Sequence, residues 1–112
     1  MCIKKFIQNI YNKTLEKKKK CPNELRCWHG AAVIYQNNII SFGINHYKKH
    51  GSMSIHAEKD AIMKCDREKL KKSVLIVIRI SRDGEKTMIS KPCHRCAQLI
   101  KSVGIPKVYY SI

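Results

Sequence analysis

The segment VLIVIRI, Val74–Ile80, constrains the fold of this chain more than any other feature. Apolar side chains, most of them β-branched, occupy it almost without interruption. This pattern predicts a strand that is buried on both faces, because a strand with one face in water would alternate apolar and polar residues. The rest of the chain must therefore supply neighbouring strands and a cover for both sides of the sheet.

Periodicity predicts the elements before this strand. Apolar residues recur at steps of three and four over Ile3–Leu15, which predicts an amphipathic helix. The lysine run Lys17–Lys20 predicts that the helix gives way to a solvated loop. Ala31–Tyr35 and Ile39–Phe42 are rich in β-favouring residues and predict a hairpin centred on Asn37–Asn38, since asparagine tolerates the positive φ angles of tight turns.

Two further helices and a last strand complete the pattern. One helix is predicted after His56, and another after Pro92, with Gly104 suited to its C-terminal cap. Val108–Tyr110 is the predicted final strand. The order α-β-β-α-β-α-β predicts an α/β protein with a mixed sheet, whose last strands are parallel and covered by helices.

Length and composition indicate one domain. The chain has 112 residues, 44% of them hydrophobic, which is enough for a single modest core. We expect residues 1–20, a helix and a Lys-rich loop, to fold as one unit with residues 21–112. No apolar run is long enough to span a bilayer, and the N-terminus lacks the apolar segment of a secretory signal. A cytoplasmic protein with no membrane partner is therefore expected.

The charge is strongly positive, with 23 Lys and Arg against 8 Asp and Glu and a formal net charge of +15. This excess predicts attraction to polyanions or to phosphorylated substrates. A compositional bias towards lysine, with no polyanionic partner, is the alternative interpretation.

Two of the six cysteines form a Cys-x-x-Cys pair, Cys93 and Cys96. Because nothing indicates secretion, metal or redox chemistry is favoured over a disulfide framework. At the start of a helix both sulfurs share one face of the first turn, where free N–H groups stabilise thiolates. Zn²⁺ is the natural candidate, because it accepts sulfur and imidazole ligands. A redox pair or a structural zinc half-site remains open.

His56 also precedes a predicted helix, so it becomes a third ligand if both helices begin at one place. Glu58, two residues later, can exchange a proton with water at such a site without ligating the metal. Taken alone, His56 also fits a cap and Glu58 a favourable charge near the helix start. The combination is more specific: His-x-Glu, then a strand, then Pro-Cys-x-x-Cys opening the next helix.

That combination is the motif of zinc-dependent nucleobase deaminases. The chain resembles the cytidine and deoxycytidylate deaminase superfamily over residues 26–112. The resemblance is carried by RCWHGAAVIYQNNIISFGIN (Arg26–Asn45), SIHAEKDAI (Ser54–Ile62) and KPCHRCAQLIKSVGIPKVYY (Lys91–Tyr110). The third segment is most similar to the deoxycytidylate branch. The implied fold is a three-layer α-β-α cytidine-deaminase-like fold with a mixed sheet, minimal at its C-terminus.

The resemblance also implies an activity and a site. It implies hydrolysis of a cytosine nucleotide or nucleoside, such as dCMP or CMP, to the uracil form with release of ammonia and without a redox cofactor. The implied zinc ligands are His56, Cys93 and Cys96. Glu58 would be the proton shuttle, the N–H of Ala57 would bond the base carbonyl, and Asn45 would contact base or sugar.

Two alternatives and one further expectation remain. The charge favours a deaminase acting on tRNA or single-stranded nucleic acid, although no aromatic residues cluster with the basic ones to stack bases. A non-catalytic, zinc-stabilised binding module is the second alternative, against which Glu58 argues. Family members normally continue past the last strand, whereas this chain stops at Ile112. We therefore expect a homo-oligomer to complete the pocket, and a sizing experiment that finds an active monomer would reject this.

Overall fold

The computed structural model describes residues 3–20, 28–47, 54–81, 87–88, 90 and 93–111. The helices in these ranges are α1 (Ile3–Lys20), α2 (Ala57–Met63), α3 (Arg67–Leu70) and α4 (His94–Val103). The strands are β1 (Trp28–Tyr35), β2 (Asn38–Ile44), β3 (His46–Tyr47), β4 (Ser54–Ile55), β5 (Val74–Ile80), β6 (Thr87–Met88) and β7 (Lys107–Tyr110).

The apolar segment Val74–Ile80 forms β5, with the boundaries that its composition predicts. One edge of β5 pairs with β1, which in turn pairs with β2, and both pairings are antiparallel. At its other edge, the end of β5 pairs antiparallel with β6, and its beginning pairs parallel with β7. The predicted mixed sheet with parallel last strands is therefore confirmed. β3 and β4 form a separate two-stranded ribbon.

Helices cover both faces of the sheet, because alternate side chains of a strand point to opposite faces. On one face, α1 packs through Ile10 against Ala32 of β1 and Ile76 of β5. On the other face, α2, α3 and α4 pack against a cluster that includes Val33 and Leu75. The three-layer α-β-α arrangement is thus confirmed, and it explains why β5 is apolar on both sides.

The hairpin turn lies one residue earlier than the prediction that centred it on Asn37–Asn38. Gln36 and Asn37 have φ angles of 49° and 62°, and Tyr35 pairs with Asn38. Two successive residues with positive φ make the two-residue turn that matches the twist of a hairpin. Asn38 is the first residue of β2, and its side-chain amide donates to the carbonyl of Gln36 at 3.0 Å.

The prediction of a loop at Lys17–Lys20 is wrong, since α1 continues to Lys20. Lysine has a high helix propensity, and the negative end of the helix dipole favours cations in the last turn. A lysine run at a helix end therefore extends the helix as readily as it ends it.

The region after His56 contains two helices where one was predicted. α2 ends at Met63, and Asp66 caps the short α3 by accepting a hydrogen bond from the N–H of Glu68 at 3.0 Å.

The predicted cap of the last helix is confirmed, because Gly104 follows α4 with a φ of 79°, in the left-handed region that favours glycine. No helix in the described part of the chain is both long and apolar enough to cross a membrane.

Candidate metal centre

Two helices that pack on the same face of the sheet begin at the candidate metal centre. His56 is the N-cap of α2, and Cys93 is the N-cap of α4. Both residues have extended backbones, and each carbonyl accepts the first hydrogen bond of its helix, at 3.0 Å from Asp60 and 2.9 Å from Ala97. Helix starts leave N–H groups without intrahelical partners, so both helices present positive partial charge here.

The three predicted zinc ligands come together at this point. The Nδ1 atom of His56 lies 3.2 Å from the Sγ atom of Cys96 and 3.3 Å from the Sγ atom of Cys93. The three candidate ligand atoms all lie within 4.8 Å of one another. Ideal tetrahedral zinc bonds would separate imidazole nitrogen and thiolate sulfur by about 3.5 Å. The donor set and its spacing therefore fit Zn²⁺.

Burial differs among the three residues. Cys96 is buried, Cys93 is half-buried and His56 is exposed. Burial raises the pKa of the Cys96 thiol well above its usual value, and the charge of Glu58 and the neighbouring Cys93 raise it further. A thiol that resists ionisation beside a second sulfur and an imidazole is a poor redox nucleophile and becomes a thiolate when a cation binds.

Glu58 lies in the first turn of α2 with only 5% of its surface exposed. Its charge contributes to the raised pKa of Cys96, so its carboxyl group lies close to the candidate ligands. Carboxylates are seldom this buried without a specific partner or role. The sequence predicted the helical first turn of Glu58 but contained no signal of its burial.

Ala57 and Asn45 are the two predicted substrate-contact residues. Ala57 is fully buried and is the first residue of α2. Because the first N–H groups of a helix have no acceptor within that helix, the N–H of Ala57 has no intrahelical partner. Asn45 follows β2, and its Oδ1 atom accepts a hydrogen bond from the N–H of His29 at 2.9 Å. The structure thus gives Asn45 a bond to β1 that the sequence interpretation did not foresee.

Three residues that the sequence analysis did not select also lie near the centre. Burial, followed by the charges of Arg79 and His56, lowers the pKa of His29 to about 4. Burial and the charge of Glu58, together with those of the two cysteines, raise the pKa of Tyr110 to about 12. His29, Arg79 and Tyr110 belong to three different strands, and their places near this centre follow from strand pairing, which a single sequence does not show.

The sequence model of the cytidine and deoxycytidylate deaminase zinc-binding region matches residues 4–112. The chain belongs to this deaminase family. The match covers almost the whole chain, and it agrees with the His, Cys and Cys geometry described above. The zinc-binding character of the family and this donor set are consistent with one another.

Similar proteins include viral and bacterial deaminases. A deoxycytidylate deaminase of Mycobacterium phage D29 is 33% identical over 70 residues, which cover 61% of this chain and 46% of that protein. The chain therefore matches about half the length of this relative.

Solved structures of deaminases share the fold. The dCMP deaminase of cyanophage S-TIM5, crystallised with dCMP and dUMP, is 24% identical with a TM-score of 0.59, over 98% of this chain and 82% of that one. A cytidine deaminase of Burkholderia pseudomallei is 15% identical with a TM-score of 0.61, over 92% and 80%. The fold is thus common to deaminases of free nucleotides and of nucleosides.

Proposed function

We propose that this protein is a zinc-dependent hydrolytic deaminase that converts a cytosine nucleotide or nucleoside to the uracil form and releases ammonia. The observation that carries the proposal is the convergence of His56, Cys93 and Cys96 beside the buried carboxyl group of Glu58. A purely structural zinc site has no need of such a group, because four protein ligands saturate the metal. The relatives in the two phages are deaminases of deoxycytidylate, which favours a nucleotide of this type.

The proposed roles divide between the metal and the chain. When bound by His56, Cys93 and Cys96, Zn²⁺ supplies Lewis-acid chemistry that makes water a nucleophile near neutral pH. Glu58 takes a proton from the attacking water and gives it to N3 of the cytosine ring. It then transfers the second proton of the water to the amino group, so that one water is consumed and one ammonia leaves.

The remaining roles concern binding. The N–H of Ala57 donates to the base carbonyl, which fits its position in the first turn of α2. Asn45 contacts base or sugar from the end of β2, and its bond to the backbone of His29 would hold its side chain in one rotamer.

The test of this proposal is zinc content and ammonia release for wild type and Glu58→Gln. Substrates are dCMP, CMP, deoxycytidine, cytidine and a short cytosine-containing DNA strand. We expect about one zinc ion per chain in both proteins. We expect kcat on the preferred substrate to fall by about 10²–10⁴-fold in the variant, because glutamine keeps the shape of Glu58 but cannot accept the proton.

The matched control is Glu68→Gln, which makes the same change at an exposed position of α3. It should retain both zinc and activity. Wild-type protein that holds zinc but turns over none of the five substrates would contradict the proposal and favour a zinc-stabilised binding module. Full activity of Glu58→Gln would contradict the role of Glu58 alone.

A further inference from the structure

Ser111 lies where the last strand meets the chain segment that leads into α4. It directly follows β7 and is buried, with 8% of its surface exposed. Its N–H donates to the carbonyl of Val77 on β5 at 3.0 Å, which continues the parallel pairing of the two strands by one residue. In a regular parallel ladder, the next hydrogen bond would run from the N–H of Arg79 to the carbonyl of Ser111.

The hydroxyl group of Ser111 takes the place of that carbonyl. The N–H of Arg79 donates to the Oγ atom of Ser111 at 3.0 Å, and the same hydroxyl donates to the carbonyl of Met88 at 2.6 Å. The carbonyl of Ser111 is thereby released from the ladder and accepts a hydrogen bond from the N–H of Ser90 at 2.9 Å. Ser111 therefore connects β5 to two residues of the segment that precedes α4.

This segment leads directly to a candidate zinc ligand. Ser90 precedes Cys93 by three positions, so the two Cα atoms cannot be more than about 11 Å apart. Cys93 is the N-cap of α4, and Cys96 lies in the first turn of that helix. Ser90 is 2% exposed, so a shift of this residue would disturb buried neighbours and be transmitted along the short connection. The place where α4 begins thus depends on where Ser90 is held.

The two halves of the zinc site are attached to different strands of the sheet. The half that carries His56 belongs to α2, and Asp60 of this helix accepts a hydrogen bond from the N–H of Ile44 in β2 at 3.1 Å. The half that carries Cys93 is attached to β5 through Ser111. Because β1 lies between β2 and β5, the attachment of one half can change without a change in the other.

We infer that Ser111 is a positioning residue for zinc binding. Its hydroxyl group replaces its own carbonyl in the sheet, and the released carbonyl holds the segment that places Cys93. Zinc binding requires ligands at defined distances and angles, so a small displacement of one ligand weakens it. The inference rests on the zinc site of the proposed function, but it makes no use of turnover.

The first experiment measures the zinc dissociation constants of wild type and Ser111→Ala by competition with a chromogenic chelator. Without the hydroxyl group, its bonds to Arg79 and Met88 are lost, and the carbonyl at position 111 becomes available to the ladder in place of Ser90. We expect the dissociation constant to increase about tenfold, the lower end of the effect of groups that orient metal ligands.

Ser73→Ala is the matched control, because it removes another buried hydroxyl group that donates to a backbone carbonyl, that of Lys69. Ser73 lies directly before β5, at the end of the strand opposite to Arg79. The control variant should unfold at a lower denaturant concentration than wild type but bind zinc with unchanged affinity. Equal zinc affinity of the two variants would overturn the inference.

Amide hydrogen exchange of the metal-free protein tests the hydrogen bonds themselves. In wild type, the N–H groups of Ser90 and Arg79 should both be protected, whereas in Ser111→Ala exchange should accelerate at Ser90 and stay slow at Arg79. Equal acceleration at both residues would indicate general destabilisation and contradict the inference. A Ser90 amide that exchanges in wild type as fast as in an unfolded chain would also contradict it, whether or not the variant folds.

These measurements separate the inference from the proposed function. A protein that binds zinc and shows the expected effects of Ser111→Ala, but deaminates none of the five substrates, would support the positioning role and contradict the deaminase. A protein that deaminates dCMP, and whose zinc affinity is the same in wild type and Ser111→Ala, would support the deaminase and overturn the positioning role.

Discussion

Cys96 is the candidate ligand whose protonation the fold controls most strongly. Burial raises its pKa, and so do the charge of Glu58 and the neighbouring Cys93, so the thiol keeps its proton at neutral pH in the metal-free protein. Zinc binds the thiolate. Binding must therefore displace this proton, and zinc affinity must rise with pH throughout the range below the raised pKa.

We expect the zinc dissociation constant to increase about tenfold per pH unit of acidification for each proton displaced. Zinc titration calorimetry at neutral pH, in buffers of different ionisation enthalpy, should show net proton release. Cys65→Ser is the control, because Cys65 is half-buried outside the ligand group. It should release as many protons as wild type, and a zinc affinity that does not change between about pH 6 and pH 8 would contradict this prediction.

At the scale of residues, the sequence identified those groups whose spacing along the chain carries the information. His56 and Glu58 are two positions apart, and Cys93 and Cys96 are three apart, so local helix geometry alone places each pair. His29 and Arg79 are fifty positions apart and meet only through strand register. Strand register depends on which faces become buried. The sequence alone did not specify the register of β1 against β5.

Gly43 shows how an element, rather than a ligand, determines the position of the metal centre. It lies in β2 directly beneath α2, and a Cβ atom there would overlap the carbonyl of Ala57 and the backbone of Ala61. Gly43→Ala should therefore displace α2 from the sheet and carry His56, its N-cap, away from the two cysteines. We expect a loss of about 1–3 kcal/mol in the free energy of unfolding, together with weaker zinc binding.

Gly30→Ala is the matched control on the opposite face. A Cβ atom at Gly30 would meet side-chain atoms of Thr14 and Ile10 on α1, and not the helix that bears His56. Both variants should unfold at lower denaturant concentration, but only Gly43→Ala should lose zinc more readily to a chelator. Equal loss of zinc from the two variants would show that zinc retention depends on the global stability of the protein and not on the packing of α2 against the sheet.

At the scale of elements, the accuracy of sequence interpretation follows from how strongly each boundary is marked. β5 is bounded correctly because both of its faces are buried, so it is apolar at every position except Arg79. The C-terminal end of α1 was placed too early, because lysines are compatible with helix and loop alike. The break between α2 and α3 depends on the cap at Asp66, a signal that the apolar periodicity does not contain.

The whole molecule carries a formal net charge of +15, and part of that charge lies away from the metal centre. α1 packs on the face of the sheet opposite to α2 and α4. Among its described side chains, the exposed lysines are Lys4, Lys5, Lys13, Lys17 and Lys19. α1 thus offers a polyanion a basic surface that is separated from the metal centre by the sheet.

We expect a fluorescent oligothymidylate, which contains no cytosine, to bind at about 50 mM salt and to dissociate at about 200 mM, because its binding depends on released counterions. Replacing the five exposed lysines of α1 with glutamine should weaken this binding and flatten its salt dependence, as measured by fluorescence anisotropy. An oligonucleotide bound at α1 should not inhibit dCMP turnover, since α1 and the metal centre lie on opposite faces of the sheet. Competitive inhibition that persists in the five-lysine variant would instead place the strand in the metal centre, which would favour a deaminase of single-stranded nucleic acid over one of free nucleotides.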